Sequence, residues 1–307
     1  MSSSSPSGTA AVFTIGAACG LFLARFLQAP EKSYSMADQP ARFAHQKNIG
    51  DTRALDIDQH YDASALKGKR VLITGANRGL GLAIATEAQR AGALVYATCR
   101  RPSSELQALG VTAIIPGIDV AKTETMDSLV NALSGIDSID IVINNAGYFM
   151  RERESILGQT MDYGEEMKMI DICAVGQLRV TSALYNGGKL AAGSKVAMIT
   201  SQGGSIAWRD TQCPEGGDYG HHLSKAAANM GGKLAANELK SKGIVVSVLH
   251  PGFVRTEMTS KYSHIWDIEG AVVSSVASKR VLHEINIATI ASSGVFINCE
   301  DGQEIPW

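Results

Sequence analysis

The run Thr74-Gly75-Ala76-Asn77-Arg78-Gly79-Leu80-Gly81 sits between an apolar segment, Arg70-Val71-Leu72-Ile73, and a helix-like segment, Leu82-Ala83-Ile84-Ala85-Thr86-Glu87-Ala88. A strand that feeds a glycine-rich turn into a helix builds an anion site. The turn needs backbone without Cβ so that a pyrophosphate can approach, and the helix N-terminus supplies free N–H groups. Both flanking segments are present, which is the context a dinucleotide motif requires. The next apolar segment, Ala93-Leu94-Val95-Tyr96-Ala97-Thr98-Cys99, ends in Arg100-Arg101 and not in an acidic residue. A carboxylate there would bind a ribose diol and repel a 2′-phosphate, whereas guanidinium groups hold a phosphate through charge-assisted bonds. Arg78 with Arg100 therefore favours NADP(H) over NAD(H), while Arg101 reads equally as a solvated surface residue.

These groups need elements to hold them. Apolar runs predict strands near 70–74, 94–98, 112–117, 139–144, 195–200, 243–249 and 293–297, and helices near 79–91, 122–134, 165–186, 219–240 and 270–286. Strand alternating with helix specifies an α/β fold: a single doubly wound parallel sheet, Rossmann-like, with helices on both faces. The chemistry-bearing residues all fall at predicted strand C-terminal ends, where such sheets bind ligands. No repeat of solenoid length is present.

The spacing T-G-x-x-x-G-x-G, with Asp119, Asn144-Asn145-Ala146-Gly147, Thr200-Ser201, Ser224-Lys225 and His250-Pro251-Gly252-Phe253-Val254-Arg255-Thr256 following in order, resembles the short-chain dehydrogenase/reductase family. The resemblance covers about residues 69–307, and the ending Glu304-Ile305-Pro306-Trp307 resembles its C-factor and carbonyl-reductase-like branch. It implies that Thr74, Gly75, Asn77, Arg78, Gly79, Leu80 and Gly81 form the cofactor turn. It also implies that Asp119 contacts the adenine, and that Asn145, Ala146 and Gly147 contact the adjacent cofactor backbone. Thr256 then takes the nicotinamide carboxamide, with Pro251, Gly252 and Val254 also among the cofactor-binding residues. Metal sites are not expected.

The same resemblance implies a catalytic tetrad of Asn, Ser, Tyr and Lys, with Tyr one helical turn before Lys. Ser201 and Lys225 match, the lysine also holding the ribose. His221 stands at the tyrosine position, and Cys173, three residues before Gly176, at the asparagine position. An imidazolium is a proton donor, so acid catalysis by His221 is chemically allowed. Lys225 and the helix N-terminus both disfavour that charged form. Tyr219, just before the helix, is the alternative acid. The bland reading makes Tyr219 a packing residue beside the cofactor groove and His221 a polar pocket residue without catalytic duty.

Composition fits one α/β domain with an N-terminal extension: 307 residues, 45% hydrophobic and 19% charged. With 28 Lys plus Arg against 30 acidic residues, no basic field argues for nucleic acid. Five cysteines without C-x-x-C spacing read as reduced thiols, not as disulfides or a zinc site. Residues 1–68 stand outside the domain expected at 69–307. They begin with serines, carry no acidic residue before Glu31, and are apolar over 10–27 apart from Arg25. A signal anchor with the domain facing the cytosol and an organellar transit peptide compete, and a cleaved secretory signal is the weakest reading. Residues 28–67 are polar and read as a linker, with 54–61 able to pack on the domain, so removing 1–68 is expected to leave a soluble folded domain.

Two function classes follow. One is an NADPH-dependent oxidoreductase reducing a carbonyl group on a small, fairly apolar substrate, its pocket lined by Tyr148, Phe149, Trp208, Met258, Tyr262 and Trp266, with 256–270 as a lid. The other is a catalytically weak NADP-binding sensor or scaffold at a membrane. A homodimer through the helices at 176–185 and 226–239 is a family expectation. The small residues Gly231-Gly232 and Ala235-Ala236 suit that helix pairing or packing on the sheet.

Overall fold

The computed structural model describes residue 1, residues 32–150 and residues 152–307. They belong to two units, Met1–Ser33 and Tyr34–Trp307. Of the first, only Met1, Lys32 and Ser33 are described, and the apolar stretch 10–27 lies outside the described residues. Among the described residues no helix is long and apolar enough to cross a membrane.

In the second unit the described strands are β1 (Arg70–Thr74), β2 (Leu94–Cys99), β3 (Ala113–Pro116), β4 (Ile141–Asn144), β5 (Lys195–Ile199), β6 (Val245–His250), β7 (Val254–Arg255), β8 (Val272–Val273) and β9 (Phe296–Asn298). Seven form one parallel sheet in the order β3-β2-β1-β4-β5-β6-β9, and β7 pairs with β8 apart from it. The longer helices are α1 (Gln39–Ile49), α2 (Gly79–Arg90), α3 (Glu124–Ala132), α4 (Tyr163–Ile170), α5 (Gly176–Asn186), α6 (Tyr219–Lys240) and α7 (Ser274–Ile287). Strand side chains alternate between faces. Val71 and Ile73 enter one core layer with Ile84, Ala88, Val281 and Ile285 from α2 and α7. Leu72 enters the other with Leu129, Val180, Leu184 and Leu239 from α3, α5 and α6. The doubly wound parallel sheet expected from the alternation of strand and helix is the fold observed.

The order β3-β2-β1-β4 reverses direction between β1 and β4, and the C-terminal ends of that pair form the crevice where doubly wound sheets bind ligands. Helix α6 reaches this edge because Gly232 lets it lie on the sheet: a β-carbon there would fall 2.7 Å from Val248 Cγ2. Ala235 and Ala236 are likewise buried against the sheet.

Helix α1 departs from the linker expected over 28–67. Asp38 caps it by accepting from the Ala41 N–H at 2.9 Å, and Gly50, at φ 63°, closes it in the left-handed region. Its buried residues are Gln39, Arg42 and Gln46, so it docks through polar groups and shows no apolar stripe to a sequence reader. Ala54 and Ile57 are also buried, and Arg53 pairs with Glu284 at 2.5 Å.

Candidate active site

At the end of β1 the chain turns through Gly75 in the left-handed region (φ 65°), where a β-carbon would fall 2.9 Å from Ala146 Cα. Gly81 is tighter still, with a β-carbon placed 2.3 Å from the Gly75 carbonyl oxygen. Only glycine lets the first turn of α2 lie on the loop. Thr74 Oγ1 accepts from the Asn145 and Ala146 N–H groups, both at 3.0 Å. The Asn145 amide donates back to the Thr74 and Gly75 carbonyls at 3.0 and 3.3 Å. The turn after β1 is thus stitched to the end of β4, and the Asn145 side chain serves that stitch.

Of the other residues expected at the cofactor, Thr256 is the one shown beside this turn. A β-carbon on Gly79 would sit 3.8 Å from Thr256 Cγ2, so the segment after β7 faces the glycine turn. Arg78 reaches Glu257 at 2.7 Å. Arg100 is exposed past the end of β2, with no side-chain partner among the described residues. Asp119 caps its own turn by accepting from the Ala121 N–H at 3.1 Å. Gly147 faces Cys173 Sγ and Met258 Cε, at 3.8 and 4.0 Å from a β-carbon position. Pro251 and Gly252 link β6 to β7, which begins at Val254.

Ser201 follows β5 and Lys225 lies two turns into α6. Thr200 Oγ1 donates to the Lys225 carbonyl at 3.2 Å, and a β-carbon on Gly204 would fall 2.5 Å from the Lys225 carbonyl carbon. The serine turn and the lysine are therefore fastened together. Ser201 Oγ accepts from the Gly203 N–H at 3.0 Å, which leaves its own proton to donate. His221 stands over this turn: a β-carbon on Gly203 would lie 2.9 Å from its Nε2. Its ring meets Phe149 edge-on at 4.8 Å, and Phe149 stacks on Tyr262 at 6.4 Å. The Tyr219 hydroxyl lies elsewhere, 3.8 Å from the β-carbon position of Gly216. Cys173 is fully buried in the π-helical segment Asp171–Val175, its sulfur exchanging hydrogen bonds with the Tyr148 backbone at 3.3 Å.

Electrostatics sharpen the picture. Loss of solvent around the His221 ring, then Lys225, His222, Arg209 and Lys261, push its pKa well below the usual imidazole value. At neutral pH the ring is neutral. Burial and then Asp218 push the Tyr262 phenol far above its usual value, and its hydroxyl reaches Asp218 Oδ2 at 3.3 Å. Asp218 itself holds a left-handed backbone (φ 49°) immediately before α6. Neither Asp218 nor a Tyr262 contact with the Phe149–His221 cluster is legible in the sequence, because a lone Asp and a loop Tyr carry no spacing signal.

Trp208 corrects the expected pocket. It is 5% exposed and packs with Val248, Phe296 and Ile305, because the C-terminal segment folds back over it. Trp266 lies beneath the Arg255 guanidinium, 5.7 Å away, and the Tyr148 hydroxyl is tied to Glu165. Phe149, Met258 and Tyr262 are the expected aromatic and apolar residues that face the site.

A family profile described as short chain dehydrogenase matches residues 69–265. The chain belongs to the short-chain dehydrogenase family. A 1-hydroxy-2-glutathionyl-2-methyl-3-butene dehydrogenase of Rhodococcus sp. strain AD45 is 31% identical over 241 residues, covering 77% of this chain and 99% of that one. The C-signal protein of Myxococcus xanthus is 33% identical over 169 residues, 55% of this chain and 93% of that one. Among solved structures, NADPH-bound carbonyl reductase from chicken fatty liver aligns with a TM-score of 0.67 at 24% identity, over 78% of this chain and all (100%) of that one. Such short-chain dehydrogenase relatives make the protein an oxidoreductase. Helix α1 lies outside the matched segment.

Proposed function

We propose that the protein is an NADP(H)-dependent oxidoreductase that reduces a carbonyl group on a small, fairly apolar substrate. The observation that carries this is convergence: the glycine turn faces Thr256, while Thr200 and Gly204, on either side of Ser201, hold that turn against the Lys225 backbone at the same sheet edge. The turn has the close-packed form of a dinucleotide loop, since β-carbons at Gly75 and Gly81 would meet Ala146 Cα at 2.9 Å and the Gly75 carbonyl oxygen at 2.3 Å, so only glycines let the loop and the start of α2 close up. Arg78 and Arg100 support the 2′-phosphorylated form, and the chicken relative is described as NADPH-bound.

The bound dinucleotide supplies the hydride. In this reading Thr74, Gly75, Asn77, Arg78, Gly79, Leu80 and Gly81 cradle it, with Asp119 at the adenine and Asn145, Ala146 and Gly147 along its middle. Pro251, Gly252, Val254 and Thr256 hold the nicotinamide end, and Lys225 the ribose. Ser201 donates a hydrogen bond to the substrate carbonyl oxygen, and Phe149, Met258 and Tyr262 exclude water. His221, beside the serine turn, is the nearest candidate to deliver the proton, and Tyr219 would have to leave Gly216 to do so. NADPH consumption against aldehydes, ketones and quinones, with Lys225→Ala as control, tests the reading. No turnover with any of them would overturn it.

One observation favours a second reading. His221 is neutral at physiological pH, so a chain that binds NADP(H) with lapsed chemistry, as a sensor or scaffold, has its own support. The apolar stretch 10–27 adds support for membrane attachment or organellar import, with the residues before the compact unit at Tyr34 as the targeting region of this proposal. Exposed Leu178 on α5 and Leu223, Met230 and Leu234 on α6 support a homodimer through those helices.

A further inference from the structure

The serine turn and both ends of the 256–270 segment share one support, helix α1. Gln39 is the junction. Its Oε1 accepts from Gln202 Nε2 at 2.5 Å, and its Nε2 donates to the Glu269 carbonyl at 3.3 Å and to Glu300 Oε1 at 3.2 Å. Arg42 Nη2 reaches Gln202 Oε1 at 3.0 Å and Glu300 Oε2 at 2.8 Å. Glu300 Oε1 in turn accepts from the Phe253 N–H at 3.2 Å. Gln202 adjoins Ser201, Phe253 precedes Thr256 by one short strand, and Glu269 adjoins the segment's end at Gly270.

The backbone is shaped for these contacts. Gly252 has φ +90°, and a β-carbon there would lie 2.7 Å from Glu300 Cγ. Gly270 has φ +71°, and a β-carbon there would lie 2.5 Å from the Phe43 ring. Each root of the segment is a glycine against which α1, or the carboxylate it holds, is pressed. Gln39, Arg42 and Glu300 are 6%, 3% and 5% exposed, so the bonds are shielded from competing water. Burial opposes the Glu300 charge, but Arg42, His250 and Arg280 overcome it and hold the carboxyl at about 2. The Glu300 carboxylate is therefore ionised at neutral pH.

We propose that α1 is an active-site clamp: Gln39, Arg42 acting through Glu300, and Phe43 are positioning residues that fix the Ser201–Gln202 turn and both roots of the 256–270 segment in one geometry. For turnover this rests on the reductase reading. For cofactor binding it does not, because the Phe253 root leads directly to Thr256.

The full chain is tested as wild type, Gln39→Leu, Phe43→Ala and Arg42→Lys, with folding checked by circular dichroism. Single-turnover rates and NADPH dissociation constants are then measured by fluorescence. Gln39→Leu, which removes all three junction bonds at near-constant volume, is expected to slow turnover at least tenfold and to raise the NADPH dissociation constant at least threefold. Arg42→Lys keeps the charge facing Glu300 but loses the fork to Gln202, so it should slow turnover with NADPH affinity held. That split is one a merely structural helix would not produce. Gln39→Asn, which keeps the amide but shortens its reach, replaces Gln39→Leu should the latter not fold, and is judged by the same measures. Folded Gln39 and Phe43 variants that both stay within twofold of wild type in rate and affinity would overturn the clamp. A wild-type chain with no turnover would sink the reductase reading alone, and the NADPH affinities would still decide the clamp.

Discussion

The Arg78 guanidinium lies 2.7 Å from the Glu257 carboxylate, so the glycine turn and the segment after Thr256 are joined by an ion pair. Both side chains are more than 60% exposed, at 63% and 61%, and such pairs add little stability. The pair matters instead as competition, because a 2′-phosphate drawn to Arg78 must share it with a carboxylate.

The first prediction follows from that competition. NADPH binds more tightly than NADH, and Arg100→Ala narrows the gap by about 1–3 kcal/mol, the scale of a charge-assisted bond. Glu257→Gln should widen the gap, because it removes the negative charge beside Arg78. Titration calorimetry decides it, and equal affinities in the wild type would refute the NADP(H) preference.

Gly81 offers a structural test. A β-carbon there meets the Gly75 carbonyl oxygen at 2.3 Å and Asn145 Nδ2 at 2.4 Å, and the carbonyl is backbone that cannot swing away. Gly81→Ala should destabilise the fold by about 1–3 kcal/mol through overpacking and abolish cofactor binding. Leu82→Ala, at the adjoining and partly buried position, is the comparison that should leave binding intact. Intact binding in a folded Gly81→Ala chain would mean that the turn is not the cofactor cradle.

Acid should weaken the protein earlier than its carboxylates alone require. His250 is 5% exposed, and neither ring nitrogen has a partner among the described residues. Burial, only partly opposed by Glu300, pushes its pKa from 6.5 to about 4. The unfolded chain therefore binds the extra proton first. Stability is full above pH 6.5 and declines as pH falls toward 4, by about 3 kcal/mol for this residue at 1.36 kcal/mol per unit. His221 and His222, also depressed, act in the same direction. Glu300, held at about 2, adds its loss only below its ordinary 4.5. Denaturant midpoints at several pH values should show the upper limb shrink in His250→Asn. An unchanged limb would assign the loss to other groups.

The altered centre gives the sharpest kinetic test. With His221 as the acid, His221→Phe abolishes reduction and leaves NADPH binding intact, since the lost group acts on the transition state. Its lowered pKa then makes the rate climb with acidity to well below pH 6.5. With Tyr219 as the acid, Tyr219→Phe carries the loss and His221→Phe is mild. Activity that appears only in His221→Tyr would identify a binding protein whose chemistry has lapsed.

Truncation distinguishes a targeting segment from a structural one. Removing residues 1–33 should leave NADPH binding unchanged, because the compact unit begins at Tyr34. Removing 1–68 strips α1 and exposes the Glu300 carboxylate without Arg42, and breaking such a buried pair costs about 3–5 kcal/mol. Equal thermal midpoints for the two truncated chains would show that α1 contributes nothing to the fold.

The sequence by itself determined the sheet and the glycine turn that ends β1. Their signals are local: apolar runs of strand length, a glycine turn set between a strand and a helix, and motif residues at strand ends. Ser201 and Lys225 were legible for the same reason. Helix α1 was not, because its buried face is Gln39, Arg42 and Gln46, and a polar face held by long-range hydrogen bonds has no periodicity to read. The protonation of His221 was half legible, since Lys225 one turn away already disfavoured the charge. Only the fold brought Arg209 and Lys261 around the ring and removed it from solvent, and desolvation is a property of packing. Trp208 entered the core and Tyr262 approached Phe149 on the same terms: which aromatic faces a site depends on contacts between segments far apart in the chain, and those exist only once the chain has folded.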